Sequence, residues 1–419
     1  MNTWTFDLIV AGAGAGGMMA AITAAEQGLR VLLLEKNDRP CRKLYITGKG
    51  RCNVTNLCPP KEVLENVPTG SKFLYGVMQA FPPEAVMEFF ESIGCSLKVE
   101  RGNRVFPTSD RSASVIDALR QRSRSLGIRL IQATVRDILV KDGAAAGFAT
   151  DKGDFFAPAL LLAVGGASYP RTGSTGDGYA MAQKVGHTVI APTGSLVPLE
   201  SNDEAIGGLA GLSLRNISLK LVNSKKKTVF SDFGEAEFTD FGLTGPTVLS
   251  ASCHMGRETG FSLVLDLKPG LTPEKLEARV LRDLQKYQNC PMETALTELL
   301  PRQMIPAVLQ KAGISPALAA NSLKKGQRQE LLQVLKHFSV PISQKRPLEE
   351  AIVTSGGVKL SEVDPKTMQS KKLPGLYFAG EILDADAYTG GFNLQIAWAT
   401  GRAAGLAAAN KHHERYDHE

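Results

Sequence analysis

The sequence predicts an α/β fold organised around a Rossmann-like dinucleotide-binding domain. Three observations predict it. Near the N-terminus a glycine-rich turn joins an apolar run to a run of helical spacing. A second apolar run, ending in an acid, follows at once. A further strand, glycine turn and helix stand at the far end of the 419-residue chain.

The first unit is "FDLIVAG" (6–12), a short run with the composition of a buried strand. "AGAGGMMAAITAAEQG" (13–28) continues as a helix of small and apolar residues with Gly28 as its stop, and "RVLLLEK" (30–36) is a second buried strand. Gly12, Gly14 and Gly17 form G-x-G-x-x-G between strand and helix, and Glu35 closes the second strand. Gly12 permits the tight turn, Gly14 lets a pyrophosphate approach the backbone, and Gly17 lets the helix pack on the strand. The helix start, with Ala15 and Gly16, offers N–H groups and the positive end of the dipole. Glu35 can accept both ribose hydroxyls, and Lys36 follows it. A glycine-rich helix cap would explain the turn but not Glu35.

"TGKGRCNVTN" (47–56) is next, preceded by Arg42 and Lys43. Two cations and a glycine-rich loop suit a cofactor that stays bound, its phosphates neutralised and its ring wrapped by backbone. That favours FAD over a diffusing NAD. Gly48, Arg51, Cys52 and Asn53 are the expected contacts in this loop. At the far end, "GLYFAGE" (375–381) is a buried strand running into Gly380 and Glu381. "TGGFNLQ" (389–395) opens a helix that is small and apolar nearly all round, so it must be buried. Gly391, Phe392, Asn393 and Leu394 start that helix, whose N-terminus can face the flavin edge where negative charge develops on reduction. In between, "ALLLAVGGASYP" (159–170) gives a third strand-to-glycine signal at Gly165. "TGSTGDGYAMAQKVG" (172–186) reads as loop and helix. "ATVRDILV" (133–140) reads as a strand whose backbone near Val135 meets the adenine.

Composition excludes several classes. Hydrophobic residues make up 43% and charged residues 21%, ordinary globular values, and the net charge of +6 permits an anionic cofactor or RNA without demanding either. The six cysteines contain no C-x-x-C, so a dithiol pair or zinc ribbon is not signalled, and a reducing, cytoplasmic setting is expected. The scattered histidines give no metal-ligand cluster. Residues 6–25 are apolar enough to imitate a membrane span, but Asp7 and the glycines break that reading, and the stretch lacks the basic leader and small-residue cleavage site expected of a signal peptide. The Lys225–Lys227 run reads as a solvated turn, and the polar tail 411–419 as disordered.

These residues resemble a family of flavoproteins that includes a bile-acid enone reductase, a ribosomal-RNA dihydrouridine synthase and an aminoacetone oxidase. The stretches that carry the resemblance are "GAGAGGMMAA", "KLYITGKGRCNVTN", "RGNRVFP", "LLLAVGG", "GSTGDGY", "FTDFGLTGP", "VTSGGV", "MQSKKLPGLYFAGEILD" and "TGGFNLQIAWATGRAAG", in order from residue 9 to 405. The resemblance implies a discontinuous Rossmann-like FAD-binding domain, 1–191 with 341–419. It also implies an insert, a small β-barrel (192–270) followed by a helical part (271–340). "LVPLE", "LRNISLKLV" and "FSLVLDL" read as strands of such an insert, and 272–338 carries helical spacing. Two positions depart from the family pattern. Cys41 stands where Gly is usual before the basic pair, and Asp240 stands where F-T-H-x-G is usual.

The residues leave the reaction open among three classes. The favoured one is an NAD(P)H-driven reductase of a C=C conjugated to a carbonyl, in a cyclic enone or in a uracil ring of structured RNA. The proton would come from Asp240, Tyr388 or water. The second is an amine oxidase using oxygen, with Asp240 and Tyr388 around the amine. The third is a non-catalytic flavoprotein that binds RNA. Cys52 is read as a small side chain packed under the flavin, against the alternative of a reactive or flavin-tuning thiol. Arg104 faces either substrate or a salt bridge.

Overall fold

A computed structural model describes residues 5–256 and 258–416. The chain divides into two compact units: residues up to Ser195 together with those from Leu348 on, and Leu196–Pro347.

The first unit is built on a five-stranded, wholly parallel sheet. Its order is Leu376–Phe378, Ala159–Leu162, Leu8–Ala11, Val31–Glu35, Arg129–Gln132. Leu8–Ala11, Ala159–Leu162 and Leu376–Phe378 are buried at every position, as continuous apolar runs covered on both faces require. Chain order and space diverge here: the last strand of the sequence pairs with Ala159–Leu162, which in turn pairs with the first.

Two helices pack on this sheet and on each other. Helix Ala15–Glu26 ends at Gly28, whose φ of +89° makes the left-handed stop that glycine allows. Helix Phe392–Tyr416 lies against it through two glycines. A Cβ on Gly401 would come within 2.3 Å of the Gly16 carbonyl oxygen, and one on Gly405 within 2.6 Å of that of Ala20. The backbones therefore touch where any side chain would hold them apart, which is why this helix is small-residue-rich as well as apolar. It continues through Tyr416, so the tail expected to be disordered is helical over 411–416; 417–419 lie outside the described residues.

Three smaller sheets complete the unit. Thr55–Asn56, Arg104–Pro107 and Leu97–Glu100 form one. Val135–Lys141, Ala144–Thr150 and Gly153–Phe156 form a meander, and Val189–Ser195 pairs antiparallel with Val353–Val358.

The second unit is a seven-stranded antiparallel sheet followed by helices. Ser213–Val222 and Thr228–Phe238 make its long hairpin, with Ser262–Asp266 beside the first. The segment from Phe338 to Lys345 pairs with Ser262–Leu265 at one end and with Leu199–Glu200 at the other. One continuous piece of chain thus joins both sheet edges, as a sheet curled on itself requires. Helices Pro273–Lys286, Ile305–Lys311 and Lys325–Lys336 share its core. Because Phe338–Pro341 belongs to this sheet, the second unit ends at Pro347 and not at the expected residue 340.

Candidate cofactor and active site

The glycines of the first turn meet the demands set for them. A Cβ on Gly17 would lie 1.9 Å from the Gly12 carbonyl oxygen, and one on Gly12, at φ +98°, 2.5 Å from that of Ala163. Neither position admits a side chain. Gly14 is the opposite case: its Cβ would meet nothing within 4 Å. It is the N-cap of the 12-residue helix, and no side chain caps it. An open, uncapped helix start of this kind is a cradle for an anion. Glu35 stands beside it. Its Oε2 accepts from Ala13 N (2.9 Å) and its Oε1 from Asn37 N and Nδ2 (2.9 and 2.7 Å), so the carboxylate is fixed at the strand end.

The far end of the chain is brought to the same place. A Cβ on Gly16 would lie 3.4 Å from Gly380 N and from the Ala397 carbonyl oxygen. The TGGFN turn sits on the loop that follows residue 47: a Cβ on Gly391 would come within 2.5 Å of the Thr55 carbonyl oxygen. Thr55 Oγ1 donates to Gln395 Oε1 (2.6 Å) and Trp398 Nε1 to the Val54 carbonyl oxygen (2.9 Å). Asn393 is spent on its own turn, donating to the Ala387 and Tyr388 carbonyls and accepting from Ala387 N. Tyr388 is half-buried at the head of that turn, its N–H donating to the Asn66 carbonyl.

The cations expected at the cofactor have partners within the protein. Lys43 donates to Glu381 (2.6 Å) and Ser168 Oγ (2.6 Å). Glu381 Oε1 also accepts from Ser168 Oγ and Thr354 N. Burial works to raise the Glu381 carboxyl, but Lys43, the Thr354 N–H and the Ser168 hydroxyl outweigh it and hold it below the ordinary glutamate range. Thr354 Oγ1 in turn accepts from Ala167 N and Ser168 N (2.8 and 3.0 Å), fixing the chain just after Gly165. Lys36 donates to Asp177 and Thr175, and Arg42 to Asn37. Arg51 pairs with Glu100 and Asp110.

Within the 47–53 loop, Gly48, Lys49, Gly50 and Cys52 all have φ between +57° and +83°. Cys52 is wholly buried, its N–H bonded to the Thr47 carbonyl, and burial pushes its thiol up to about 12 despite an opposing hydrogen bond from Thr47. Burial of this kind favours the neutral thiol over the thiolate. Asn53 Oδ1 is a buried acceptor with no partner. Cys41 has φ +62° and donates its thiol to the Ala13 carbonyl; the left-handed backbone is the physical reason that glycine is usual at this position. Val135 opens the meander. Asp240 belongs to the other unit, exposed in the turn between Thr228–Phe238 and Gly242–Thr244.

Sequence reasoning missed Asn37, Ser168, Asp177 and Thr354. Of these, Ser168, Asp177 and Thr354 stood in stretches already singled out, "ALLLAVGGASYP", "TGSTGDGYAMAQKVG" and "VTSGGV", and Asn37 did not. The open cradle at Gly14, the fixed Glu35 and the orphaned Asn53 oxygen fit a dinucleotide whose second half lies toward the TGGFN turn. Among the described residues no group of three or more His, Cys, Asp or Glu could hold a metal ion, and no helix is long and apolar enough to cross a membrane.

Comparison with known proteins agrees with this geometry. The chain matches the HI0933-like protein Rossmann domain family over residues 6–407. It is 31% identical to a 3-dehydro-bile acid delta(4,6)-reductase of Clostridium scindens, over 96% of this chain and 98% of that one. It is 28% identical to a ribosomal RNA dihydrouridine synthase of Escherichia coli, over 95% and 96%. Among solved structures, a quinol fumarate reductase chain of E. coli shares the fold at TM-score 0.52 and 19% identity, over 97% of this chain and 70% of that one. The chain belongs to the HI0933-like family and is an FAD-dependent oxidoreductase.

Proposed function

We propose that this enzyme uses NAD(P)H to reduce a C=C bond conjugated to a carbonyl, in a cyclic enone of steroid type or in a uracil ring of RNA. The observation that carries the reading is the joining of the Gly14 cradle, the 47–56 loop and the TGGFN turn into one site. The names of the two relatives, a reductase of a bile-acid double-bond system and a synthase of dihydrouridine, support the reaction class. The greater identity to the first favours the enone.

When bound, FAD would supply the hydride chemistry, taking hydride from NAD(P)H and passing it to the substrate. The chain's residues do the rest. Gly14, Ala15 and Gly16 present N–H groups to the pyrophosphate, and Glu35 receives ribose hydroxyls. Gly391, Phe392, Asn393 and Leu394 place a helix N-terminus at the flavin, and Asn53 supplies an acceptor. Val135, Gly165, Gly380 and Glu381 line the same cofactor. Lys36, Arg42, Lys43, Gly48, Arg51 and Cys52 shape the walls around it rather than reach into it. Tyr388 is the proposed proton donor to the substrate carbon.

The test is the visible spectrum of the purified protein, followed anaerobically as NADH or NADPH is added. A flavin band that bleaches with either nucleotide, and recovers on adding a 3-oxo-Δ4 steroid or a uracil-containing RNA, supports the proposal. A flavin that ignores both nucleotides but bleaches with small amines points to an oxidase and overturns it.

A further inference from the structure

The 47–53 loop takes a shape that side chains oppose. Lys49 and Cys52 lie at φ +57° and +61°, in the left-handed region that Gly48 and Gly50 on either side of Lys49 share. Non-glycine residues stay in this region only when their surroundings over-determine them. Part of the restraint is local: Cys52 N donates to the Thr47 carbonyl, and Val54 N to that of Val105. The rest comes from Arg51. Its Nε donates to Asp110 Oδ1 (2.8 Å), and its terminal nitrogen reaches Glu100 Oε1 and Asp110 Oδ1 (2.5 Å each). The guanidinium lies over the Phe106 ring at 4.1 Å, and Phe106 also abuts Gly48, whose Cβ would meet it at 3.3 Å. Lys98 closes the cluster on Asp110 (2.6 Å) and Glu100 (3.4 Å), and the Arg104 guanidinium stands 5.9 Å from the Phe106 ring centroid.

We propose that Glu100 and Asp110, with Phe106 beneath, form a clamp on Arg51 that preorganises the 47–53 loop for the cofactor. They are positioning residues: neither needs to touch flavin or substrate. The proposal rests on the assignment of this loop to the cofactor site. Both anions come from outside the loop, Glu100 from the end of strand Leu97–Glu100 and Asp110 from the turn after Arg104–Pro107. The hairpin therefore gives the loop a rigid anvil. Planarity matters, because one guanidinium serves two carboxylates and a ring face at once, which an ammonium cannot do.

The experiment compares wild type with E100Q/D110N, R51M and R51K. Amide exchange is read in the FAD-free protein over 47–53, with strands 8–11 and 31–35 as the control for folding. FAD affinity and the bound-flavin spectrum are read by titration. In E100Q/D110N and R51M, exchange over 47–53 should rise at least tenfold with the control strands unchanged, and FAD affinity should fall about tenfold with an altered flavin band. R51K should fall between them and wild type. If E100Q/D110N keeps both exchange and affinity within twofold of wild type, the clamp is refuted. If wild type itself binds no FAD, the cofactor assignment fails instead, while the exchange data still decide whether the clamp orders the loop. A variant that loosens the control strands as well is reporting global unfolding; in that case R51K must restore the strands while leaving exchange over 47–53 above wild type, or the clamp is again refuted.

Discussion

Replacing Glu381 by Gln probes the knot that ties the far end of the chain to helix Arg42–Ile46. Oε2 faces the Lys43 ammonium at 2.6 Å, while Oε1 accepts from Ser168 Oγ at 2.7 Å and Thr354 N at 2.8 Å. A glutamine amide has one acceptor and one donor end. With its NH2 toward Lys43, donor meets ammonium; flipped, donor meets the Thr354 N–H. Neither orientation satisfies the site. Breaking a fully buried ion pair costs roughly 3–5 kcal/mol. Here the Lys43 and Glu381 side chains keep 24% and 18% exposure, so water screens part of the loss. About 2–3 kcal/mol is expected for E381Q, and about as much for K43M. Because both changes break one pair, the double variant should fall short of additivity by about 1–2 kcal/mol. The assay is urea unfolding of the FAD-free protein by tryptophan fluorescence. Trp398 is buried in the first unit against Phe90, so its signal reports that unit. A loss below about 0.5 kcal/mol for E381Q, or strict additivity of the two changes, would refute the reasoning.

Three further outcomes are expected. Gly401→Ala gains about 1 kcal/mol of helix propensity but drives a Cβ to 2.3 Å from the Gly16 carbonyl oxygen, so the helices must part. A net loss of up to about 2 kcal/mol and weaker FAD binding should follow, and unchanged FAD affinity would count against the close approach as a support of the cradle. Cys52→Ser should keep FAD bound and turnover within about tenfold, equivalent to about 1.4 kcal/mol; lost turnover with FAD retained would restore a chemical role for the thiol. His187 is buried, with Nε2 2.7 Å from Ser370 Oγ, and burial pushes its pKa below 6.5 against the pull of Glu362. A depressed histidine contributes stability that is present above 6.5 and lost as pH falls through and below it, by at most about 1.4 kcal/mol per pH unit. Urea midpoints between pH 7.5 and 5.5 should therefore drop more in wild type than in H187Q, and equal drops would exclude His187 as the source.

The sequence by itself determined the parts of this protein that repeat a local rule. G-x-G-x-x-G between an apolar run and a helical run can do little else, because Gly12 and Gly17 occupy positions where a Cβ would strike backbone. The acid at Glu35, the strands at 8–11, 31–35, 159–162 and 376–378, and the buried final helix follow from apolar runs and small-residue spacing. The left-handed backbone at Cys41 was foreshadowed by the family's glycine there. What remained hidden is pairing between residues far apart in sequence. Lys43, Arg51 and Lys36 stood out as expected cofactor contacts; their protein partners Glu381, Asp110 and Asp177 lie 338, 59 and 141 residues away. No local spacing encodes such a partner, since the partner is chosen by where the sheet order brings the strand ends. Cys52 is the milder case: its sequence context favoured a packed side chain over a reactive thiol, and the fold buries it wholly, with burial raising its thiol. Short-range sterics write themselves into sequence; charge neutralisation and burial are settled only when the chain has closed on itself.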